Sequence, residues 1–172
     1  MFQVFPLGIP KGCAYNRRKH LIDVMTIDQL LSASIGTECT VHNEPFAYVG
    51  RADVTLDGGD VRRWLYGGGG DVLAISPDDE EIILFKVVEE ELEPQGDTVL
   101  YGGKEYEFSY EDSGIVSGVE GDASEECEDR LTFSEYQSED GERLRLVTSE
   151  NRSETSAYLG TTVVEEDILP IE

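Results

Sequence analysis

The sequence predicts a mainly β protein, an antiparallel β-sandwich or two small half-barrels with one short N-terminal helix. Three observations carry this expectation. After Gly36 the residues fall into short runs with a period of two, the spacing that turns alternate side chains toward a core. Gly58-Gly59, Gly102-Gly103 and Asp140-Gly141 each sit between such runs, where tight hairpins need residues that accept positive φ. Helical spacing is confined to one stretch near the start. Many short strands with so little helix favour an antiparallel sandwich or small barrel.

The elements follow in order. Ile27, Leu30 and Leu31 share one helical face, Thr26 with Gln29 makes a capping box, and Gly36 supplies a stop, so a helix is predicted over 26–34. Strands are predicted at 38–42, 46–56, 60–66, 71–76, 81–88, 98–101, 104–110, 114–121, 130–137, 142–148 and 156–164. The acidic stretch Glu89-Glu90-Glu91-Leu92-Glu93-Pro94-Gln95-Gly96 ends in breakers and is expected to separate two sheets or half-barrels. An internal echo supports that division: Pro45-Phe46-Ala47-Tyr48-Val49 matches Lys104-Glu105-Tyr106-Glu107-Phe108, and Trp64-Leu65-Tyr66 has a counterpart in 133–136. Residues 25–172 are therefore read as one domain, with 36–93 and 97–170 as two similar halves of a duplication.

Charge bounds the setting. The 172 residues hold 37 Asp and Glu against 13 Lys and Arg, a net of −24. Such self-repulsion opposes compaction, yet 39% of residues are apolar and eight Tyr, six Phe and one Trp are spread along the chain, which argues for a folded domain. Four of the 13 cations are lysines and the rest arginines; lysine stems expose apolar surface that concentrated salt penalises, whereas carboxylates stay hydrated. At molar salt the screening length is roughly 3 Å, and the repulsion becomes tolerable. The expectation is a cytoplasmic protein of a salt-in halophile, with an ordinary acidic protein as the alternative. Residues 1–24 stand apart. Lys11, Arg17, Arg18 and Lys19 outweigh Asp23 there, giving +3 and leaving −27 for the remainder. They are read as a loose tail or as the result of translation starting at Met25, with a basic binding arm as the alternative.

Cys13, Cys39 and Cys127 form no CxxC pair and no disulfide framework. No apolar run approaches the ~20 residues of a membrane span.

Residues 26–170 resemble the family known as domain of unknown function 4178. The first half carries Ile35-Gly36, Phe46-Ala47-Tyr48-Val49-Gly50 and Trp64-Leu65. The second carries Tyr101-Gly102-Gly103-Lys104-Glu105-Tyr106, then Tyr136, Asp140-Gly141 and Leu144, then Tyr158-Leu159-Gly160 and Glu166-Asp167-Ile168. The resemblance implies a small, mainly β module without an established activity, and it transfers no catalytic residue.

Several constellations imitate chemistry. Cys39 and His42 have the spacing of two zinc ligands, but the other two ligands are not evident. Asp53-Val54-Thr55-Leu56-Asp57-Gly58 begins like a calcium loop and fails at Trp64, where a bidentate Glu is needed. The glycines at 67–70 lack the Lys-Ser/Thr of a phosphate cradle. No cofactor or metal site is expected. Arg62, Arg63 and Trp64 form the one cluster that opposes the global charge; on a strand Arg62 and Trp64 share a face and Arg63 takes the other. They are the candidate interaction patch for an acidic or planar partner, against the alternative of local ion pairs beside a core tryptophan. Nucleic acid is disfavoured because residues 25–172 lack a basic face. The function expected is a non-enzymatic β interaction module, bound to a protein partner or a membrane-associated assembly. The alternatives are a carboxylate-dependent or metal-assisted hydrolase and a small-ligand sensor with an aromatic pocket.

Overall fold

A computed structural model describes residues 24–171; the tail expected at 1–24 lies, apart from Val24, outside the described residues. The capping box forms as predicted, with the Thr26 hydroxyl accepting from the Gln29 N–H and the Gln29 side chain accepting from the Thr26 N–H. Helix α1 spans Ile27–Ser32. Eleven strands follow: β1 Glu38–Val41, β2 Glu44–Leu56, β3 Val61–Gly67, β4 Val72–Ser76, β5 Glu81–Val88, β6 Thr98–Tyr101, β7 Lys104–Gly121, β8 Arg130–Gln137, β9 Arg143–Ser149, β10 Glu154–Val163 and β11 Ile168–Pro170.

Eight antiparallel strands in the order β2-β3-β4-β5-β10-β9-β8-β7 close on themselves through a ladder between β2 and β7. The fold is a closed barrel, which corrects the expectation of a sandwich. The reason lies in two long strands and their glycines. β2 and β7 each carry a bulge, at Tyr48/Gly50 and at Phe108/Tyr110. Bulges bend a strand and let one strand serve two neighbours. β2 therefore pairs with β1 over 44–47 and with β7 over 50–56. β7 pairs with β6 over 104–107 and with β2 over 114–121, and it runs unbroken through Glu111-Asp112-Ser113, where the sequence predicted a gap. At the closing ladder Gly114 lets two backbones approach: a Cβ there would lie 2.5 Å from the Thr55 carbonyl oxygen. Each half thus runs as a short strand, a long bulged strand and three further strands, and the halves meet at β2–β7 and β5–β10.

Three apolar layers result. The barrel interior holds Ala52, Val54, Trp64, Phe85, Val116, Leu131, Phe133 and Val147 among others. Outside β3, β4 and β5, Leu65, Leu73, Ile75, Ile82 and Leu84 pack beneath α1, β1, β11 and the first half of β2. Outside β8, β9 and β10, Tyr136, Leu144 and Leu146 pack beneath β6, Tyr106 and Leu92. The 89–96 stretch therefore connects the halves and also supplies part of that cover. β4 is buried along its whole length because both of its faces are covered.

The turn entering β7 is riveted to the β8–β9 turn. Lys104 Nζ donates to Asp140 at 2.9 Å and to Glu142 at 3.0 Å, and the Tyr106 hydroxyl donates to Glu142 at 2.7 Å. Hydrogen bonds from Ser138 and Lys104 hold Asp140 down to about 2. Burial first, and then the Glu142 carboxylate, push the Tyr106 phenol up to about 12.

Gly114→Ala should cost about 2 kcal/mol or more, because the obstacle is backbone, whereas Gly58→Ala, with nothing within 4 Å of the new Cβ, should be near neutral; denaturant unfolding in molar potassium chloride measures both. The Tyr106 contribution to stability is present below about pH 10, where the unfolded phenol begins to ionise, and is lost as pH rises toward about 12. The alkaline decline in unfolding free energy should be shallower in Tyr106→Phe.

Candidate functional site

The barrel is plugged at one end and open at the other. Residues 122–129, between β7 and β8, fold over the plugged end. Buried Glu125 accepts there from the Tyr66 hydroxyl and from Arg152, both at 3.3 Å, and buried Asp129 accepts from the Ser149 hydroxyl and the Asn151 N–H. Burial first, and then the Glu125 charge, push the Tyr66 phenol well above its usual range.

The centre is filled. Trp64 meets Phe133 edge to face with centroids 5.9 Å apart, and Phe85 meets Tyr158 in the same manner at 6.2 Å. The guanidinium of Arg145 lies 4.3 Å from the Phe85 centroid, 5.0 Å from Phe133 and 5.9 Å from Trp64, a desolvated cation held by ring faces. Its Nε donates to Glu135 at 2.6 Å. These two side chains are only 8% and 2% exposed, so neither charge would tolerate loss of the other. The space left among Trp64, Tyr66, Phe85 and Arg145 is about 10 Å³, room for one water. An eight-stranded barrel is about the size that side chains alone can fill.

The open end is polar. β3, the turn after β4, the β7 bulge, β8 and β9 together enclose a cleft of about 240 Å³ lined by Arg62, Glu81, Tyr110, Glu135, Gln137 and Arg143. Arg143 reaches Glu81 at 3.1 Å and Glu135 at 3.7 Å. Arg62 comes no closer than 3.8 Å to Asp79, beyond hydrogen-bond range. Burial first, and then the Glu135 charge, push the Tyr110 phenol above its usual range. On the outer face of this wall Phe108, 44% exposed, meets Tyr136 edge to face with centroids 5.7 Å apart.

The three residues of the sequence-derived patch go to three places. Arg62 lines the cleft and Trp64 lies buried on the same inward face below it. Arg63 points outward, where it grips Asp53 with Nε at 2.7 Å and Nη2 at 3.1 Å while Nη1 donates to the Leu31 carbonyl at 2.8 Å, tying α1 to the barrel wall. Cys39 is buried under α1, its thiol pushed up by burial, whereas His42 sits in the β1–β2 turn 3.5 Å from Asp167. Asp57 and Gly58 form a hairpin turn, and the glycines at 67–70 another. Among the described residues no group of three or more His, Cys, Asp or Glu is placed to hold a metal ion, and no helix is long and apolar enough to cross a membrane.

Sequence reasoning missed Glu135, Arg143, Arg145 and Tyr110. A signal for three of them was present. Across the Asp140-Gly141 turn, β8 and β9 pair Glu135 with Arg145 and Gln137 with Arg143, and Glu135 continues the inward series Leu131, Phe133. One carboxylate among 37 acids drew no notice. No protein-family model, curated protein or solved structure matches the chain.

Glu135→Leu and Arg145→Leu should each cost roughly 3–5 kcal/mol by stranding the partner charge, and the double variant should lose clearly less than the sum of the two. A double-mutant cycle from chemical denaturation reads this coupling directly.

Proposed function

We propose that the chain is a non-enzymatic β-barrel interaction module that engages a protein partner, free or within a membrane-associated assembly, at the open end of its barrel in a high-salt cytoplasm. The resemblance to domain of unknown function 4178 belongs to the same proposal. The observation that carries it is the composition of that opening. On a chain of net charge −24, Arg62 and Arg143 converge there with Tyr110, and exposed Phe108 lies two residues before Tyr110 on β7, packed against Tyr136 of the outer layer. Arginine and large aromatics dominate the binding energy of protein interfaces, and both are at hand on strands rather than loops. The filled centre speaks against the small-ligand reading, since one water's space admits no ligand. The high-salt setting draws support from the placement of the acids: among the described residues only Glu125, Asp129 and Glu135 are buried, so nearly all the negative charge meets solvent.

Affinity capture with the full chain from the source cell's extract, in molar potassium chloride, tests the interaction. A stoichiometric partner retained by the wild type and by Arg51→Gln, but lost with Arg62→Glu and with Phe108→Ser, is the expected result. A partner indifferent to Arg62→Glu, or none at all, would sink the reading. The setting is tested separately by thermal unfolding: the melting temperature should rise steeply from dilute to molar potassium chloride as carboxylate repulsion is screened, and equal values would contradict it.

A further inference from the structure

We propose that the open end of the barrel recognises a single carboxylate carried by the partner, with Arg62 as its principal donor. This rests on reading that opening as the partner site. Arg62 leaves β3 on the inward face two residues before Trp64, and its side chain is 16% exposed. Its Nη1 is the one buried side-chain nitrogen or oxygen among the described residues without a hydrogen-bond partner. A buried donor on a charged group is costly to leave unmade, and this one borders a cleft of about 240 Å³.

The neighbouring cations differ. Arg145 is committed to Glu135, and Arg143 is shared between Glu81 and Glu135. Asp79, the acid nearest Arg62, is mostly exposed and too distant to bond. Arg62 therefore keeps a directed donor that nothing in the wall satisfies. The planar fork of a carboxylate fits a guanidinium in two parallel hydrogen bonds, while Ser109, Tyr110 and Gln137 line the same cleft with hydroxyl and amide donors.

Charge selects among anions. Counting Arg145 on the floor, the opening holds three arginines against Asp79, Glu81 and Glu135. A neutral wall with one spare donor accommodates a monoanion. A phosphate dianion would bring its second charge close to three carboxylates, without a further cation to offset it.

Trp64, the chain's single tryptophan, lies next to this site and reports on it. The full chain in molar potassium chloride is titrated, following Trp64 emission, with potassium acetate, with inorganic phosphate, and with a short peptide bearing a free C-terminal carboxylate beside its C-terminal amide. Acetate should produce a saturable change, and the free-acid peptide should saturate at a concentration about tenfold or more below its amide. Arg62→Gln should abolish both responses with the far-ultraviolet circular dichroism unchanged, Arg51→Gln should leave them intact, and Asp79→Asn should tighten them several-fold. Responses that persist in Arg62→Gln, phosphate saturating as tightly as acetate, or silence of the wild type and Asp79→Asn would each overturn the assignment. Should Arg62-dependent partner capture survive such a failure, the interaction reading stands and the carboxylate falls. An acetate response without any partner would instead support carboxylate recognition while removing the protein as its source.

Discussion

The ladder between β2 and β7 is the constraint on which the rest of the structure depends. Without it the sheet would be open, with Ala52, Val54 and Val116 at an exposed edge and no enclosed interior. Closure depends on backbone approach as much as on apolar contact, since Gly114 sits where a side chain would strike the Thr55 carbonyl. Once eight strands meet, the interior is narrow enough for Trp64, Phe85, Phe133 and Tyr158 to span it. The surplus lengths of β2 and β7 then fold outward past their bulges, and each carries a short strand that covers the outer face of its own half.

The same closure places charge inside an apolar core. Arg145 and Glu135 are inward on adjacent strands because their register makes them opposite, and the aromatic faces around Arg145 replace part of its lost hydration. Such a pair is weak evidence for net stability. Its structural consequence is clearer: it fixes the floor of the open end and leaves Arg143 stretched between two acids and Arg62 with a donor to spare. Local electrostatics thus depart from the global charge, since three arginines balance three carboxylates at the opening. Nearly all the described carboxylates meet solvent, whereas the opening brings Arg62, Arg143 and Arg145 together.

Much of the fold was legible in the sequence. The capping box at Thr26 and Gln29, the hairpin glycines and the strands at 81–88, 98–101 and 130–137 agree with the structure. The sandwich was not the outcome, because closure rests on a pairing between residues about sixty to seventy positions apart that no local pattern encodes. The expected strands at 104–110 and 114–121 leave Glu111-Asp112-Ser113 between them, yet β7 runs through these residues, because acidic residues in this chain are so common on solvent-facing strands that they lose their meaning as breakers. β11 was missed because three residues ending in Pro170 give too short a pattern. At the site, the face-sharing of Arg62 and Trp64 followed from strand alternation, while the partners gathered from β7, β8 and β9 needed the barrel's register.

A closed barrel, rather than two facing sheets, creates a plugged cup with a polar opening. Amide hydrogen exchange in molar potassium chloride tests it most directly at residues 50–56 and 114–121. A closed barrel requires the amides of this ladder to exchange only through global unfolding, with protection equal to that of the β4–β5 ladder and far above that of edge strand β6. Exchange along the β2–β7 ladder as fast as in β6 would show that the sheet is open there, and the account of the cup would fail with it.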